Sequence, residues 1–298
     1  MVKGIFCSIA ASILFSGLYY FVTFLEPLSG QEVLGWRVLL TFPLVSTFIG
    51  LTKGGGLVLD IWQRIKRQPA LLLAIVFNAA MLGFQFWLFM WAPRHGKGLE
   101  VSLGYFLLPL ALVFLGRFVY GEKLTGFKKV AVVCALLGVG SGLWQAGSFA
   151  WETGAVAFGF VAYFYVRRRF GLNHIGGLWY DMALLVPASL WFILSDGGFV
   201  QTFAQKPSLY FLVSILGLLS ASSWVFYILA NRWLPFTLFG LLSYIEPILL
   251  LFVSLSLGEF ISVQEWPMYA LILGAVLVLA AEGIHYLRHK TQGMETKV

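Results

Sequence analysis

Three ionisable side chains stand among apolar neighbours and are the first candidates for chemistry: Arg37, Asp181 and Glu246. Arg37 lies within Trp36-Arg37-Val38-Leu39-Leu40-Thr41-Phe42-Pro43, inside an apolar run long enough to cross a bilayer. A charged side chain at the centre of a membrane helix costs about 2.5 to 3.5 kcal/mol on insertion scales, so one that is retained usually faces a cavity or a partner. We expect all three to face the interior of a helical bundle.

Each of these charges has two readings. Arg37 is either a clamp for a substrate or counter-ion or one half of a structural salt bridge, for which Glu100 stands at the same expected depth. Asp181 is too short to reach water, so it either binds substrate or holds a neighbouring helix. Glu246 is nearest the expected midplane and is either a proton carrier or a neutral, hydrogen-bonded glutamic acid.

Aromatic residues within the same apolar runs form a second candidate set. As a group they suit a flat or amphipathic solute, although most aromatic residues in helical membrane proteins pack the bundle or lie at the interface. The candidates are Trp87, Tyr105, Tyr180, Trp224, Tyr227 and Tyr244.

The sequence gives little support for metal binding, catalysis or nucleic-acid binding. The four histidines lie outside the middle of any span and none are paired at metal-ligand spacing, so we predict no metal site and no cofactor. No Ser or Cys nucleophile stands with a base and an orienting residue, so no catalytic residue is predicted. The basic residues are scattered over short connections, which excludes a nucleic-acid surface, and Arg167-Arg168-Arg169 is expected to be a topology anchor.

Composition identifies an integral membrane protein. The chain of 298 residues is 60% hydrophobic and 11% charged, with a mean hydropathy of +0.87. Runs of about 20 apolar residues, each enough to cross a hydrocarbon core of roughly 30 Å, recur along its whole length. Ten spans are predicted: 4 to 24, 31 to 51, 69 to 92, 98 to 119, 126 to 145, 149 to 167, 176 to 195, 207 to 230, 235 to 257 and 266 to 287.

The basic residues predict the orientation. With both termini in the cytoplasm, sixteen of the twenty lysines and arginines fall at the inner side and three at the outer side, leaving Arg37 in the membrane. The positive-inside rule therefore predicts cytoplasmic amino and carboxyl termini.

The chain also repeats itself. The stretch from Trp36 to Pro43 has an aromatic residue, a charged residue, five largely apolar residues and a proline. The same order recurs 144 residues later, with the charge reversed, in Tyr180-Asp181-Met182-Ala183-Leu184-Leu185-Val186-Pro187. Further matches are Trp87-Leu88-Phe89 with Trp224-Val225-Phe226, Tyr105 and Pro109 with Tyr244 and Pro247, and Gly121-Glu122 with Gly258-Glu259. They predict two five-helix halves, residues 1–147 and 148–298, the second ending in a short basic tail. Because five is odd, the halves must be inverted, as in secondary transporters.

Several of these motifs resemble one family. Leu99-Glu100-Val101-Ser102-Leu103-Gly104-Tyr105-Phe106, Pro109, Gly121-Glu122 and Trp36-Arg37-Val38 are similar to the RarD branch of the EamA-like drug/metabolite transporter superfamily. The resemblance covers essentially the whole chain. It implies an all-α membrane protein with ten transmembrane helices, a central cavity between two inverted five-helix repeats, and transport of small organic solutes across a bacterial inner membrane. Two positions depart from the pattern: Glu246 replaces a small or neutral residue, and Gln85 replaces an asparagine whose amide it keeps.

We therefore predict a permease that works by alternating access on small organic metabolites or drugs, including amino-acid-like or amphipathic solutes. Paired prolines, Pro43 with Pro187 and Pro109 with Pro247, would supply kinks at symmetric places. The alternative is a membrane-embedded enzyme acting on a lipid-linked substrate, which needs a polar cluster at one interface and a long loop; the longest loop predicted, 52 to 68, is basic and apolar. The expected partners are the solute and the bilayer, while proton coupling and the choice between monomer and homodimer stay open.

Overall fold

A computed structural model describes residues 1–95, 97–147, 149–195, 199–256 and 263–295, and these ranges are helical with short connections. Thirteen α-helices are found in the described ranges. They are α1 (Val2–Val22), α2 (Gly30–Leu51), α3 (Gly55–Arg67), α4 (Ala70–Arg94), α5 (Gly98–Phe114), α6 (Gly126–Ala146), α7 (Trp151–Arg169), α8 (Ile175–Ser195), α9 (Phe199–Gln205), α10 (Ser208–Trp233), α11 (Phe236–Ser243), α12 (Ile245–Ser256) and α13 (Trp266–Glu295).

Eight helical runs in the described ranges are long and apolar enough to cross a membrane. They coincide with eight of the ten predicted spans, which confirms a multi-pass membrane protein. The tenth predicted span coincides with a shorter apolar stretch of α13, Trp266–Glu282. The sixth coincides with α7, which is not one of the eight runs and is less apolar because it carries Glu152 at one end and three arginines at the other. The count of ten stays a prediction.

Helix ends follow the local sequence. At the start of α2, the Ser29 hydroxyl accepts from the Glu32 N–H at 3.2 Å and the Glu32 carboxylate accepts from the Ser29 N–H at 2.8 Å, which is a capping box. At the start of α6, the Thr125 hydroxyl accepts from the Lys128 N–H at 3.3 Å, which is a simple N-cap. At the other end of α6, Gly147 has a φ of 69°, the left-handed conformation that glycine adopts without strain.

The segment predicted as the loop 52 to 68 is mostly helix, and that prediction was wrong. Three glycines, Gly54 to Gly56, allow the chain to turn, and α3 then buries Ile61 completely while leaving charged residues exposed. Its apolar residues recur at helical spacing, so this basic and apolar segment is an amphipathic helix.

The ninth predicted span, 235 to 257, is broken. α11 ends at Ser243 and α12 begins at Ile245, with Tyr244 between them. Pro247 explains the break, because its ring clashes with the carbonyl of the residue four positions earlier, Ser243, and its nitrogen has no hydrogen to donate. The break places Glu246 in the first turn of α12.

The helices pack into one bundle. α1 packs on α10 and α12, α2 on α8 and α10, α4 on α7 and α8, α5 on α7 and α11, and α6 on α13. Glycines allow two of the closest approaches: a Cβ at Gly104 would lie 2.6 Å from the carbonyl oxygen of Thr153, and one at Gly240 would lie 2.6 Å from that of Pro109.

Candidate transport site

Arg37 lies on α2 inside the bundle, half-buried. Its Nε donates a hydrogen bond to the hydroxyl of Ser220 on α10 at 3.0 Å. The guanidinium carbon lies 5.9 Å from the centre of the Phe15 ring and 5.3 Å from that of Phe86, within the range of cation–π attraction. The charge is therefore held by aromatic faces and one neutral hydroxyl.

The salt bridge between Arg37 and Glu100 is not formed, and that alternative was wrong. Glu100 instead accepts from Lys97 at 3.0 Å, an interaction between residues three apart at the start of α5, and its hydrogen bond and charge raise the pKa of Lys97. Among the described residues, Arg37 has no carboxylate oxygen within 4.0 Å. Its guanidinium keeps free N–H groups beside a partly accessible space.

Glu246 lies at the start of α12, and its side chain is only 6% exposed. Its carboxyl group lies near the hydroxyl of Tyr105 on α5 and faces the charge of Arg37 at longer range. Tyr227 on α10 also lies near this carboxyl group. The backbone carbonyl of Glu246 accepts from the Ser16 hydroxyl of α1 at 3.5 Å.

Trp224 contacts both the phenylalanines beside Arg37 and Tyr227. Its ring makes edge contacts with Phe15 at 5.6 Å, Phe86 at 5.7 Å and Tyr227 at 5.8 Å between centroids. Its indole N–H is buried and has no hydrogen-bond partner in the part of the chain that the structure describes. A buried donor without a partner is costly, so Trp224 offers a ready hydrogen bond to a ligand.

A cavity of about 240 Å³ opens beside this site, between α2, α4 and α8. Its walls are mainly apolar and include Val38, Gly83, Phe86, Trp87 and Ser189. Phe86 is shared with the Arg37 site, so an apolar group could extend from the guanidinium into this cavity.

The remaining predicted site residues lie elsewhere and bind backbone. The Gln85 amide nitrogen donates to the carbonyl of Ala155 at 2.8 Å and joins α4 to α7, while its oxygen has no partner among the described residues. The Tyr180 hydroxyl donates to the carbonyl of Val58 on α3 at 3.3 Å. The Tyr244 hydroxyl donates to the carbonyl of Phe106 on α5 at 3.0 Å. These three contacts hold helices together.

Asp181 does not join Arg37. Its carboxylate accepts from the Tyr163 hydroxyl at 2.9 Å and pairs with Arg167, and both members of the ion pair are almost fully buried. Arg167 therefore has a structural role beyond the topology anchor that the sequence predicts. Of the two readings of Asp181, this geometry favours the one in which it holds α8 to α7.

The same ion pair organises the short connection between α7 and α8. Arg167 also donates to the carbonyl of His174 at 3.0 Å. Burial, followed by the nearby positive charge of Arg167, lowers the pKa of His174 to about 4, so this imidazole is neutral near pH 7.

Glu122 forms a contact that the sequence did not predict. Its two carboxylate oxygens accept from the N–H groups of Phe236 and Thr237, each at 2.8 Å, and so cap the start of α11. Arg168 contributes from α7: its guanidinium lies 3.5 Å from the Glu122 carboxylate and 3.7 Å from the centre of the Phe236 ring. We call Glu122, Arg168 and the start of α11 the Glu122 clasp. The Gly121-Glu122 pair was the available signal; its predicted repeat, Gly258-Glu259, lies outside the described residues.

Sequence reasoning also missed three residues that touch Arg37: Phe15, Phe86 and Ser220. Phenylalanine and serine are common in membrane helices, so only the packing singles them out. The site that the structure assembles from the predictions consists of Arg37, Tyr105, Trp224, Tyr227 and Glu246, with Trp87 in the adjoining cavity.

A bundle of apolar helices with a polar, aromatic-lined site in its interior defines a multi-pass membrane protein of the solute-transport class. The same conclusion comes from comparison with known proteins, in which residues 2–141 match the EamA-like transporter family. An uncharacterized transporter of Pasteurella multocida is 39% identical over 97% of this chain and 99% of its own length. The chloramphenicol-sensitive protein RarD of Pseudomonas aeruginosa is 39% identical over 97% of both chains. The protein belongs to the EamA-like transporter family, as a RarD-type member, which confirms the resemblance seen in the sequence.

The fold has also been observed in a crystal structure. That chain superposes with a TM-score of 0.66 at 20% sequence identity, covering 96% of this chain and 99% of its own. The two proteins share the arrangement of helices.

Proposed function

We propose that this protein is a secondary-active permease for small amphipathic organic solutes that carry a carboxylate, amino-acid-like solutes included. The observation that carries the proposal is the partly accessible, unpaired guanidinium of Arg37 between two aromatic faces. A guanidinium binds both oxygens of a carboxylate at once, which a lysine cannot do. The apolar body of the solute would lie in the cavity walled by Phe86 and Trp87.

Glu246 gives the proposed site a coupling group. When its carboxyl group is ionised, it neutralises part of the charge of Arg37; when it is protonated, Arg37 is free to attract the carboxylate of the solute. Binding of a proton and binding of the solute would then favour each other, which is the thermodynamic requirement for proton-coupled transport. The hydroxyl of Tyr105 lies near this carboxyl group.

Alternating access is supported by the way in which the helices pair. Under the predicted repeat, α1 corresponds to α7, α4 to α10, and α5 to the pair α11 and α12. The contact of α1 with α10 then corresponds to that of α7 with α4, and the contact of α10 with α2 to that of α4 with α8. Each half also has a short helix between its second and third spans, α3 in one and α9 in the other.

The sidedness of the proposal rests on charge. The distribution of basic residues favours an orientation in the bacterial inner membrane with both termini and the Glu122 clasp at the cytoplasmic side. In this orientation the clasp joins the end of α5 to the start of α11 at the cytoplasmic side. It would keep that side closed when it is formed.

The experiment is transport into proteoliposomes, with a panel of aromatic and aliphatic amino acids, their amine analogues without the carboxylate, and chloramphenicol, which appears in the name of one relative. We expect Arg37→Lys to insert and fold but to lose at least about tenfold in initial rate, the effect of roughly 1.4 kcal/mol, because lysine lacks the planar fork. Arg37→Ala should lose all transport. The exposed Arg169→Lys is the matched control and should transport normally.

Two measurements separate recognition from folding. Rates are normalised to folded protein, and the thermal midpoint of unfolding is measured for each variant. Normal transport by Arg37→Lys would show that bidentate recognition is wrong, and failure of Arg37→Ala to fold would make Arg37 a structural anchor. Amine analogues moved as fast as the amino acids would rule out a carboxylate as the recognised group.

The same transport experiment distinguishes a permease from an enzyme. The solute should be recovered inside unchanged, whereas an enzyme would alter it. The relatives bear the names of transporters, so they give the enzyme reading no support.

A further inference from the structure

The outer face of α3 has no role in the transport site and carries an unusual surface. Leu59 is 60% exposed and Trp62 is 49% exposed, one turn apart on the same side of the helix. Lys66 follows one turn later, and its ammonium nitrogen lies 5.3 Å from the centre of the Trp62 ring. We define the outer face of α3 as Leu59, Trp62, Lys66 and Arg67.

The opposite side of α3 is fixed to the bundle. Ile61 is completely buried in a cluster with Leu71, Ile75 and Leu172. Arg64 donates to the carbonyl of Phe170 at 2.6 Å, beyond the end of α7. These contacts hold the outer face in one orientation, directed away from the protein. Leu59 and Trp62 are therefore exposed on a helix that is firmly packed on the bundle.

The charge on this segment is one-sided. Residues 52 to 68 contain four basic residues, Lys53, Arg64, Lys66 and Arg67, and one acid, Asp60, so the segment carries a net charge of +3. Asp60 lies 3.9 Å from Arg64 and not beside Lys66. Lys66 and Arg67, both exposed, have no carboxylate within 4.0 Å among the described residues.

We propose that the outer face of α3 binds the headgroups of anionic phospholipids in the leaflet beside it. Tryptophan prefers the boundary between headgroups and acyl chains, and leucine favours the apolar side of that boundary. Lysine and arginine at the same depth attract phosphate groups, and each contributes about 1 kcal/mol to binding at an anionic membrane surface. The exposed apolar side chains and the uncompensated charges thus require the same partner, a lipid that offers acyl chains and a negative headgroup together.

α3 also contacts helices later in the chain, so a lipid bound to α3 would affect their packing. α3 packs on α8, and the Tyr180 hydroxyl of α8 donates to the Val58 carbonyl. The loop after α7 is tied to α3 through Arg64. A lipid bound on the outer face would therefore stabilise the present arrangement of α3 against α7 and α8.

The first test compares lipid binding to the full-length protein in detergent by native mass spectrometry, with phosphatidylglycerol and phosphatidylcholine as probes. We expect the wild-type protein to prefer phosphatidylglycerol, and Lys66→Gln/Arg67→Gln to lose about tenfold or more of that preference because two attractive charges are removed. Lys128→Gln/Lys129→Gln, which removes the same charge at the start of α6, should keep it. Equal binding of the two lipids by the wild type, or equal loss in both variants, would overturn the proposal.

The second test locates the lipid. A fluorophore is attached to Gln63→Cys, on the exposed side of α3, in a background of Cys7→Ser and Cys134→Ser, and the protein is reconstituted into liposomes. Brominated phosphatidylglycerol should quench it more than brominated phosphatidylcholine, and the difference should shrink at high salt because exposed charges are screened. Quenching that is equal for both lipids would exclude the proposed site. Neither test requires a transported solute, so both remain valid if the proposed function fails.

Discussion

The carboxyl group of Glu246 and the guanidinium of Arg37 face each other without forming a close ion pair. Glutamine is close to glutamic acid in size and shape, so it can occupy the same buried position beside Tyr105. This separates two roles that are usually confounded, because glutamine can keep the position and lose the charge.

We predict that Glu246→Gln abolishes accumulation of solute driven by a proton gradient while leaving exchange of internal and external solute intact. Glutamine can occupy the same position beside Tyr105 but cannot carry a proton. Accumulation and exchange are measured in the same proteoliposomes, with the exposed Glu26→Gln as the control. Undiminished accumulation in Glu246→Gln would remove this residue from the coupling mechanism.

Much of the site could be predicted from single residues, and the limits are physical. Arg37 and Glu246 are conspicuous in sequence because membrane helices rarely retain charge. Asp181 is equally conspicuous, yet its partner Arg167 lies 14 residues earlier and meets it only because the short connection after α7 turns the chain back toward α8. The burial of that arginine follows from tertiary packing, which an apolar sequence pattern does not encode.

Among the helices, α11 depends most on a neighbour for its stability. It has only eight residues, and its first two N–H groups donate to the carboxylate of Glu122, which comes from the connection between α5 and α6. Helix caps supplied from a distant part of the chain join two elements as well as satisfying one.

We predict that Glu122→Gln lowers the stability of the folded protein by about 1 to 2 kcal/mol, the usual range for loss of a helix cap. Glutamine keeps one acceptor oxygen of the two and loses the charge that faces Arg168. Thermal unfolding in detergent measures the effect, and the adjacent exposed Lys123→Gln serves as the control. A midpoint equal to that of the wild type would mean that the clasp contributes nothing to stability.

At the level of elements, sequence and structure agree on where long apolar helices occur and disagree where helices are short. α3 was missed because its charges resemble a loop, and the division of the ninth span at Tyr244 was missed because both parts are apolar. Pro247, which causes the division, predicts a kink from the sequence, and the structure shows two separate helices there.

For the molecule as a whole, the predicted inverted repeat has the most consequences. The offsets of the matched motifs predict it, the pairing of helices is consistent with it, and it requires that corresponding connections lie on opposite sides of the membrane. α3 and α9 occupy corresponding connections in the two halves and give suitable positions for labels.

We predict that Gly56→Cys on α3 and Gln201→Cys on α9 react with impermeant thiol reagents from opposite sides of the membrane. Both residues are exposed, and Cys7 and Cys134 are replaced by serine to remove background. Labelling is measured in right-side-out and inside-out vesicles, where the α3 position should react only in the latter. Reaction of both positions from the same side would contradict the inverted repeat.

The close approach at Gly240 has a mechanical consequence. Phe236 and Tyr244 each lie four residues from Gly240, about 6 Å along the axis at 1.5 Å per residue. All eight residues of α11 are buried, and the segment contacts α5 closely at Gly240 and again where the Tyr244 hydroxyl donates to the carbonyl of Phe106. A displacement of Phe236 away from Glu122 would therefore be carried through one short, closely packed helix to Tyr244, two residues before Glu246.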